Sequence, residues 1–523
     1  MSLISPAFLL FISVVFILYY CVPLKYRWGV LLTASYVFYI MSSKWLTVFL
    51  ALSTVSVYFT ARLISKENKK LKEQKKTLEK ADFKAYKEKN KKKKHKIIMC
   101  CIFLNFGILV VLKYFNFIGG NINGLLGLFG AKNVIPEVNW VLPLGISYYT
   151  LMAVSYAADV YYGKYEASNN LGKVALYLSF FPHITEGPIG RFDTLADKLY
   201  EGHRFDADNF KCGITLIIVG FLKKLVIADR AALYVNTVFP DYKQYGGFTL
   251  FMAGVLYTLQ IYAEFSGCMD IARGIGKACG ADMDKNFDRP FFSQSIGEFW
   301  RRWHITLGTW LRDYVFYPVS LSKSAAAVTK FARGKIKSKH LSKFICAAYP
   351  LFFVWLCNGL WHGTSWKYIL YGLYYYIIMM IGLLCEPVSS AVVKKLKINT
   401  ESFGFKVFRI VRTALFVLFG MTLFRSHSTP DAFNMLWRTF ADANTGITGL
   451  GLDLSDWIIL AFSTVCMFIA GVYQEKGGDL FERVNSYKIV WKYLFYIVLI
   501  DIVVVFGIYG AGYNSADFIY GAF

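Results

Sequence analysis

The chain has 523 residues, 56% of them hydrophobic and 18% aromatic, with a formal net charge of +24, and its mean hydropathy is +0.42. Apolar runs of sixteen to thirty residues recur along the whole length, which excludes a soluble globular enzyme and points to a polytopic membrane protein. The runs lack the two-residue alternation of barrel strands, so helices must satisfy the backbone in lipid and the expected fold class is all-α. The charge excess is clustered, and no aromatic interleaving or binding module accompanies the lysines, so no nucleic-acid partner is implied.

Runs near 6–22, 28–43 and 45–61 predict three short spans. No basic region precedes the first and no small-residue cleavage site follows it, so it reads as a retained helix. Residues 62–96 hold sixteen Lys/Arg against five Asp/Glu, a partly helical, solvated excursion assigned to the cytoplasm by the positive-inside rule. Lys25 and Arg27 follow the first run; with both basic loops inside, the N-terminus of this cell-membrane protein is expected outside. Residues 97–118 return outward, and a Gly/Asn-containing loop over 119–138 leads into a span near 140–162 that contains Pro143 and Asp159. A carboxylate at membrane depth requires a polar partner. The stretch Pro182 to Arg191 is too short and too polar to span; it reads as a re-entrant turn lining a cavity or as a surface loop.

Residues 210–239 are apolar but interrupted by Lys223 and Lys224, and a span near 247–265 ends at Glu264-Phe265-Ser266-Gly267. Residues 291–320 are rich in Trp, Arg and Tyr, which suits one amphipathic helix at the interface or inside the fold. Residues 321–343 carry seven Lys/Arg and no acid, a second cytoplasmic basic loop, suited like the first to an acidic partner or anionic lipid head groups. Spans near 344–361, 365–384, 406–424, 457–473 and 488–509 bring the count to roughly a dozen segments, in one integral membrane domain over 1–523. Ten cysteines are scattered without CxxC or zinc spacing and read as buried free thiols.

Of seven histidines, His95, His203, His340 and His427 fall in basic or polar connections. His183, His304 and His362 sit beside Gly, Pro, Trp or Arg in segments that are neither ordinary spans nor ordinary loops. His362 closes a long apolar helix as Asn358-Gly359-Leu360-Trp361-His362-Gly363, a costly place for a lone imidazole unless it is a hydrogen-bonded core group or a reactive one. Desolvation disfavours imidazolium, and a neutral ring accepts a hydroxyl proton, so general base is the reactive role expected. Asn358, one turn earlier on the same face, would orient the ring or polarise a carbonyl. His304 follows Trp300-Arg301-Arg302-Trp303 and precedes Trp310, Arg312 and Asp313; the guanidinium forks would hold the phosphates of a donor arm, or belong to an interfacial belt. No Gly-x-Ser-x-Gly elbow and no metal-ligand spacing accompanies either histidine.

At these residues the chain resembles the membrane-bound O-acyltransferase (MBOAT) family, and within it the branch of bacterial alginate O-acetyltransferase membrane subunits. The stretches that carry the likeness are Pro143 to Tyr149, Phe181-Pro182 with Gly187-Pro188-Ile189, Leu222-Lys223-Lys224 with Ala228-Asp229, Phe265-Ser266-Gly267, Phe299 to His304, Trp310 to Tyr314, Gly359 to Gly363 and Phe518-Ile519-Tyr520. The resemblance implies a ring of tilted transmembrane and re-entrant helices around a central funnel. It maps the family's invariant histidine onto His362 and its second histidine onto His304, on the donor side. Trp300, Arg301, Arg302, Trp303, Trp361 and Asp313 form the implied donor-binding set. No tightly bound cofactor or metal is implied; the co-substrate is an acyl thioester, acyl-coenzyme A or the phosphopantetheine of an acyl carrier protein. The acceptor is a hydroxyl of an extracellular polysaccharide or of a secreted serine-esterase-like partner. Glu264 stands where the family pattern has Asp.

The leading expectation is therefore transmembrane acetyl transfer. D-alanyl transfer from a carrier protein to teichoic acid is the second enzyme reading. A transporter or flippase would use Lys223, Lys224, Asp159 and Glu264 along a pathway, and a secretion scaffold would use the basic loops.

Overall fold

The computed structural model describes residues 3–130, 134–442, 446 and 450–509, and every element of regular structure among them is helical. The chain divides into two compact units, Met1–Ile214 with Ala272–Asp284 and Thr215–Ile271 with Lys285–Phe523.

In the first unit Ser5 accepts the Phe8 N–H and Pro6 opens the helix Pro6–Cys21, the usual chemistry of a helix start. Arg27–Ser43 and Thr47–Thr77 follow, separated by a 3-10 turn at Lys44–Leu46. The lysine-rich segment is helical and largely exposed, as expected: Thr47–Thr77 runs into it and Lys80–Gly127 runs out of it. Glu67 joins the two helical arms, accepting from Asn90 and pairing with Lys93 at 2.9 Å, so one carboxylate offsets local repulsion. Ile146–Tyr162 is buried at every residue from Ile146 to Val160, and Asp159 near its end meets Lys164 at 3.5 Å and the Tyr165 hydroxyl at 3.3 Å. Gly145 starts that helix with φ 66°, and a Cβ there would lie 1.8 Å from the Ile184 carbonyl oxygen. The Pro182–Arg191 stretch is buried along nearly all its length rather than forming a surface loop, and His183 lies within it, 5.6 Å from Phe180.

In the second unit a π-turn, Leu222–Ala228, interrupts the apolar 210–239 run, and its two lysines are both in ion pairs. Lys224, with a side chain of zero exposure, meets Asp229 at 2.8 Å and Glu264 at 3.2 Å, while Lys223 meets Asp270 at 2.6 Å. Gly220 and Gly267 each leave room for the other's carbonyl, at 2.5 and 2.7 Å from their missing Cβ atoms, which lets the helices carrying those charges touch backbone to backbone. The unit's core is aromatic: Trp303, Tyr234, Tyr257, Tyr371 and Tyr375 are fully buried. Tyrosine and tryptophan thus pack inside as well as at interfaces.

Eight helical stretches among the described residues are long and apolar enough to cross a membrane, the longest being Leu24–Thr77 with its two consecutive helices. By that measure three of the dozen expected segments differ. Pro6–Cys21 has only sixteen residues, Ile146–Tyr162 is interior, and the charged π-turn breaks the 210–239 run. The second basic segment is likewise mostly helical, as Lys323–Lys335 and the start of Lys339–His362. All ten cysteines are free; Cys101 is buried as expected, but Cys21, Cys100 and Cys466 lie on outer helix faces, where a thiol is apolar enough to be tolerated.

Candidate active site

The helix Lys339–His362 carries its last residue into the core of the second unit. Ser338 caps its start by accepting the Leu341 N–H, and Gly363 ends it in extended backbone. The returning helix Trp366–Leu384 crosses it closely: a Cβ on Gly359 would lie 2.5 Å from the Tyr368 carbonyl oxygen, and one on Gly372 would lie 2.3 Å from that of Trp355. A Cβ on Gly363 would meet the Tyr368 ring at 2.3 Å. These glycines let the hairpin close until His362 stands among aromatic rings. Its centroid is 4.8 Å from Trp361, 5.6 Å from Tyr371 and 5.3 Å from Phe424, and the residue is 2% exposed.

His304 arrives from another element. The stretch expected to be one amphipathic helix is broken into Ile296–Arg302 and Ile305–Leu311, with His304 at the break in the left-handed region, φ 48° and ψ 51°. A non-glycine residue there is disfavoured and persists only when its surroundings hold it. Asn286 is what holds it. Its carbonyl oxygen accepts the Ile305 N–H at 3.0 Å, while its side-chain Oδ1 accepts the Thr306 N–H at 3.0 Å and the Thr306 hydroxyl at 2.9 Å. His304 Nδ1 lies 3.2 Å from the same Oδ1.

That arrangement fixes the tautomer. A backbone N–H only donates, so the Asn286 atom facing Thr306 must be the amide oxygen, and the ring nitrogen sharing it must carry a proton. Nε2 is then a bare acceptor, and it has no hydrogen-bond partner among the described residues. The ring is 2% exposed, between Phe265 at 4.8 Å and Trp361 at 5.2 Å. Burial pushes its pKa down to about 3, so it is neutral at pH 7. Trp361 therefore touches both imidazoles, His304 at 5.2 Å and His362 at 4.8 Å.

The remaining residues singled out from the sequence divide into two groups. Asn358 is 5% exposed and its Oδ1 has no hydrogen-bond partner among the described residues, so that oxygen does not orient His362. Trp300 packs against Trp355 and Tyr375, and its indole N–H is likewise unpartnered. Trp300 lies near His362 through Tyr371, which contacts both rings. Trp303, by contrast, is core, stacked on Phe299 at 5.4 Å. Arg302 is held by Glu298 at 2.8 Å and by Glu475 at 2.9 Å, a pairing that raises its pKa further. Asp313 meets its neighbour Arg312 at 2.9 Å. Arg301 is exposed and makes no ion pair among the described residues.

Both histidines fall inside residues 166–424, which match the family model described as MBOAT, membrane-bound O-acyltransferase family. A protein of Pseudomonas syringae pv. tomato (strain ATCC BAA-871 / DC3000), named "Probable alginate O-acetylase AlgI", is 31% identical over 486 residues, 91% of this chain and 83% of the relative. The chain belongs to the membrane-bound O-acyltransferase family. It is accordingly an O-acyltransferase and a multi-pass membrane protein. The chain is also similar to a "Teichoic acid D-alanyltransferase" of Bacillus subtilis (strain 168), 28% identical over 63% of this chain and 85% of the relative. A "Peptidoglycan O-acetyltransferase" of Helicobacter pylori (strain ATCC 700392 / 26695) is 27% identical over 53% of each.

Within this MBOAT chain the structure adds residues that sequence reasoning passed over: Asn286, Thr306, Tyr371, Phe424 and Glu475. Asn286 lies eighteen positions before His304, and no periodicity links the two. The turn-forming run Asn286-Phe287-Asp288-Arg289-Pro290 was the available signal, and it marks a turn rather than a partner. Among the matching motifs, Phe518-Ile519-Tyr520 lies outside the described residues.

Proposed function

We propose that this MBOAT enzyme moves an acetyl group across the cell membrane, from a cytoplasmic thioester donor to a hydroxyl on the outer side. The observation that supports this best is the pair of buried imidazoles, His304 and His362, both in contact with Trp361 in a core that also holds the unpartnered polar atoms of Asn358 and Trp300. In the reaction the acceptor oxygen attacks the thioester carbonyl carbon; the O–C bond forms and the C–S bond breaks. The hydroxyl proton passes to His362 and from there to the departing thiolate, so no charge is left in the apolar interior. Holding thioester and hydroxyl in one narrow site supplies proximity, and much of the rate enhancement comes from that.

The relatives named as O-acetylase and O-acetyltransferase favour acetyl as the group and a cell-surface polysaccharide as the acceptor, reached directly or through a secreted serine-esterase-like partner. The relative named as a D-alanyltransferase supports D-alanyl transfer as the second reading, and the identity of the acid ester-linked to surface glycans separates the two. For orientation, exposed Lys335, Lys337 and Lys339 flank the start of the helix that ends at His362. The positive-inside rule places them in the cytoplasm, the N-terminus outside and His362 towards the acceptor side. An acidic acyl carrier protein fits that basic segment as donor. His362→Ala is expected to abolish surface acylation while membrane insertion is retained; undiminished surface ester in that variant would remove His362 from the mechanism.

A further inference from the structure

We propose that Asn286 is a positioning residue for acyl transfer, fixing His304 as the Nδ1–H tautomer so that Nε2 faces the substrate as a hydrogen-bond acceptor. The inference rests on the reading of this site as the acyl-transfer centre and adds the chemistry that His304 contributes. Three donors converge on one amide oxygen: the Thr306 N–H at 3.0 Å, the Thr306 hydroxyl at 2.9 Å and the His304 Nδ1–H at 3.2 Å. An oxygen so engaged has no capacity for further donors, and its NH₂ group is turned to Met269 Sδ at 3.4 Å, which holds the carboxamide in one orientation. The same residue's backbone carbonyl takes the Ile305 N–H, so the left-handed turn at His304 and the ring's protonation pattern are set together.

A buried acceptor without a partner keeps its desolvation penalty unless something occupies it. Nε2 of His304 is such an acceptor, walled by Phe265 and Trp361. Its complement is an N–H or O–H on the ligand. An acyl-pantetheine arm, whose amides carry N–H groups, has that chemistry next to the thioester. Charged groups on the surrounding elements have partners of their own: Glu264, next to Phe265, pairs with Lys224, Arg302 pairs with Glu298 and Glu475, and Asp288 pairs with Arg289. Desolvation is the influence that keeps the ring neutral.

The test uses the full chain in nanodiscs with acetyl-pantetheine as donor and a soluble oligosaccharide as hydroxyl acceptor, reading thiol release against pH, and ¹⁵N solid-state NMR of histidine-labelled protein with His304 assigned by its loss in His304→Gln. Wild type should show a neutral, Nδ1-protonated His304. Asn286→Asp keeps an acceptor for all three donors but places a carboxylate against the ring, which favours imidazolium and removes the Nε2 acceptor. The acid limb of activity should then move to higher pH by roughly 1–3 units. Asn286→Leu should raise KM for the donor at least tenfold. Thr306→Val, which deletes one donor without touching the ring, should leave the acid limb in place. An Nε2-protonated His304 in wild type, or an acid limb that does not move in Asn286→Asp, overturns the proposal; so does an equal movement in Thr306→Val, which would indicate general loosening. Wild-type protein that releases no thiol would instead count against the acyl-transfer reading, and the NMR result still decides the tautomer.

Discussion

Asn358 shows what a single residue in this core does that packing alone does not explain. Its Oδ1 is buried without a partner among the described residues, one helical turn before His362. An apolar residue of similar volume would remove that desolvation penalty, worth about 1–3 kcal/mol. Asn358→Leu is therefore expected to leave the melting temperature in detergent unchanged or raised, while acyl transfer falls at least tenfold. A variant that kept full activity would make Asn358 a packing residue. His362 and Asn358 were legible as candidates because ionisable and amide groups are rare in apolar helices. The tautomer of His304 was not legible, since it depends on an oxygen eighteen residues away and on a backbone angle that sequence pattern does not report.

At the scale of the element, the histidine hairpin depends on glycines that the sequence displayed without explaining. Gly359 and Gly363 read as parts of a signature, and the structure gives two of its positions a steric cause, with Gly372 as a counterpart on the facing helix. Gly372→Leu would drive a side chain into the Trp355 carbonyl, 2.3 Å from the missing Cβ, and separate the helices. The expected outcome is destabilisation of at least about 1–3 kcal/mol, seen as loss of folded protein in size-exclusion profiles together with loss of transfer. The neighbouring Trp-Arg-Arg-Trp-His stretch shows the converse. Its composition suggested a single amphipathic helix, yet the chain breaks at His304, where Asn286 receives donors from His304, Ile305 and Thr306. Arg302 is likewise directed away from a donor role by Glu475, a carboxylate 173 residues further along the chain.

For the molecule as a whole, charge distribution and span order carry the functional geometry. Acidic donor docking on the second basic segment predicts that reversing Lys335, Lys337 and Lys339 to Glu raises KM for an acyl carrier protein donor about tenfold at low ionic strength. The effect should shrink as salt is added, while turnover with a small, uncharged acyl thioester is unchanged. Equal carrier kinetics in the reversed protein would exclude docking there. The charges that suggested a transport pathway are accounted for otherwise: Lys224 with Asp229 and Glu264, Lys223 with Asp270, and Asp159 with Lys164 are ion pairs inside their own units.

What the sequence by itself determined is what hydropathy and composition control locally: an all-helical membrane protein, the positions of its apolar runs and basic segments, and two histidines in unusual settings. The tertiary structure decided which apolar runs form long unbroken helices and which are broken or packed inside. It also decided which arginine is held by a carboxylate, and that one indole touches both imidazoles while an asparagine fixes the proton on one of them. Each of these depends on residues far apart in the chain meeting at a few ångströms, and spacing along a sequence does not record such meetings.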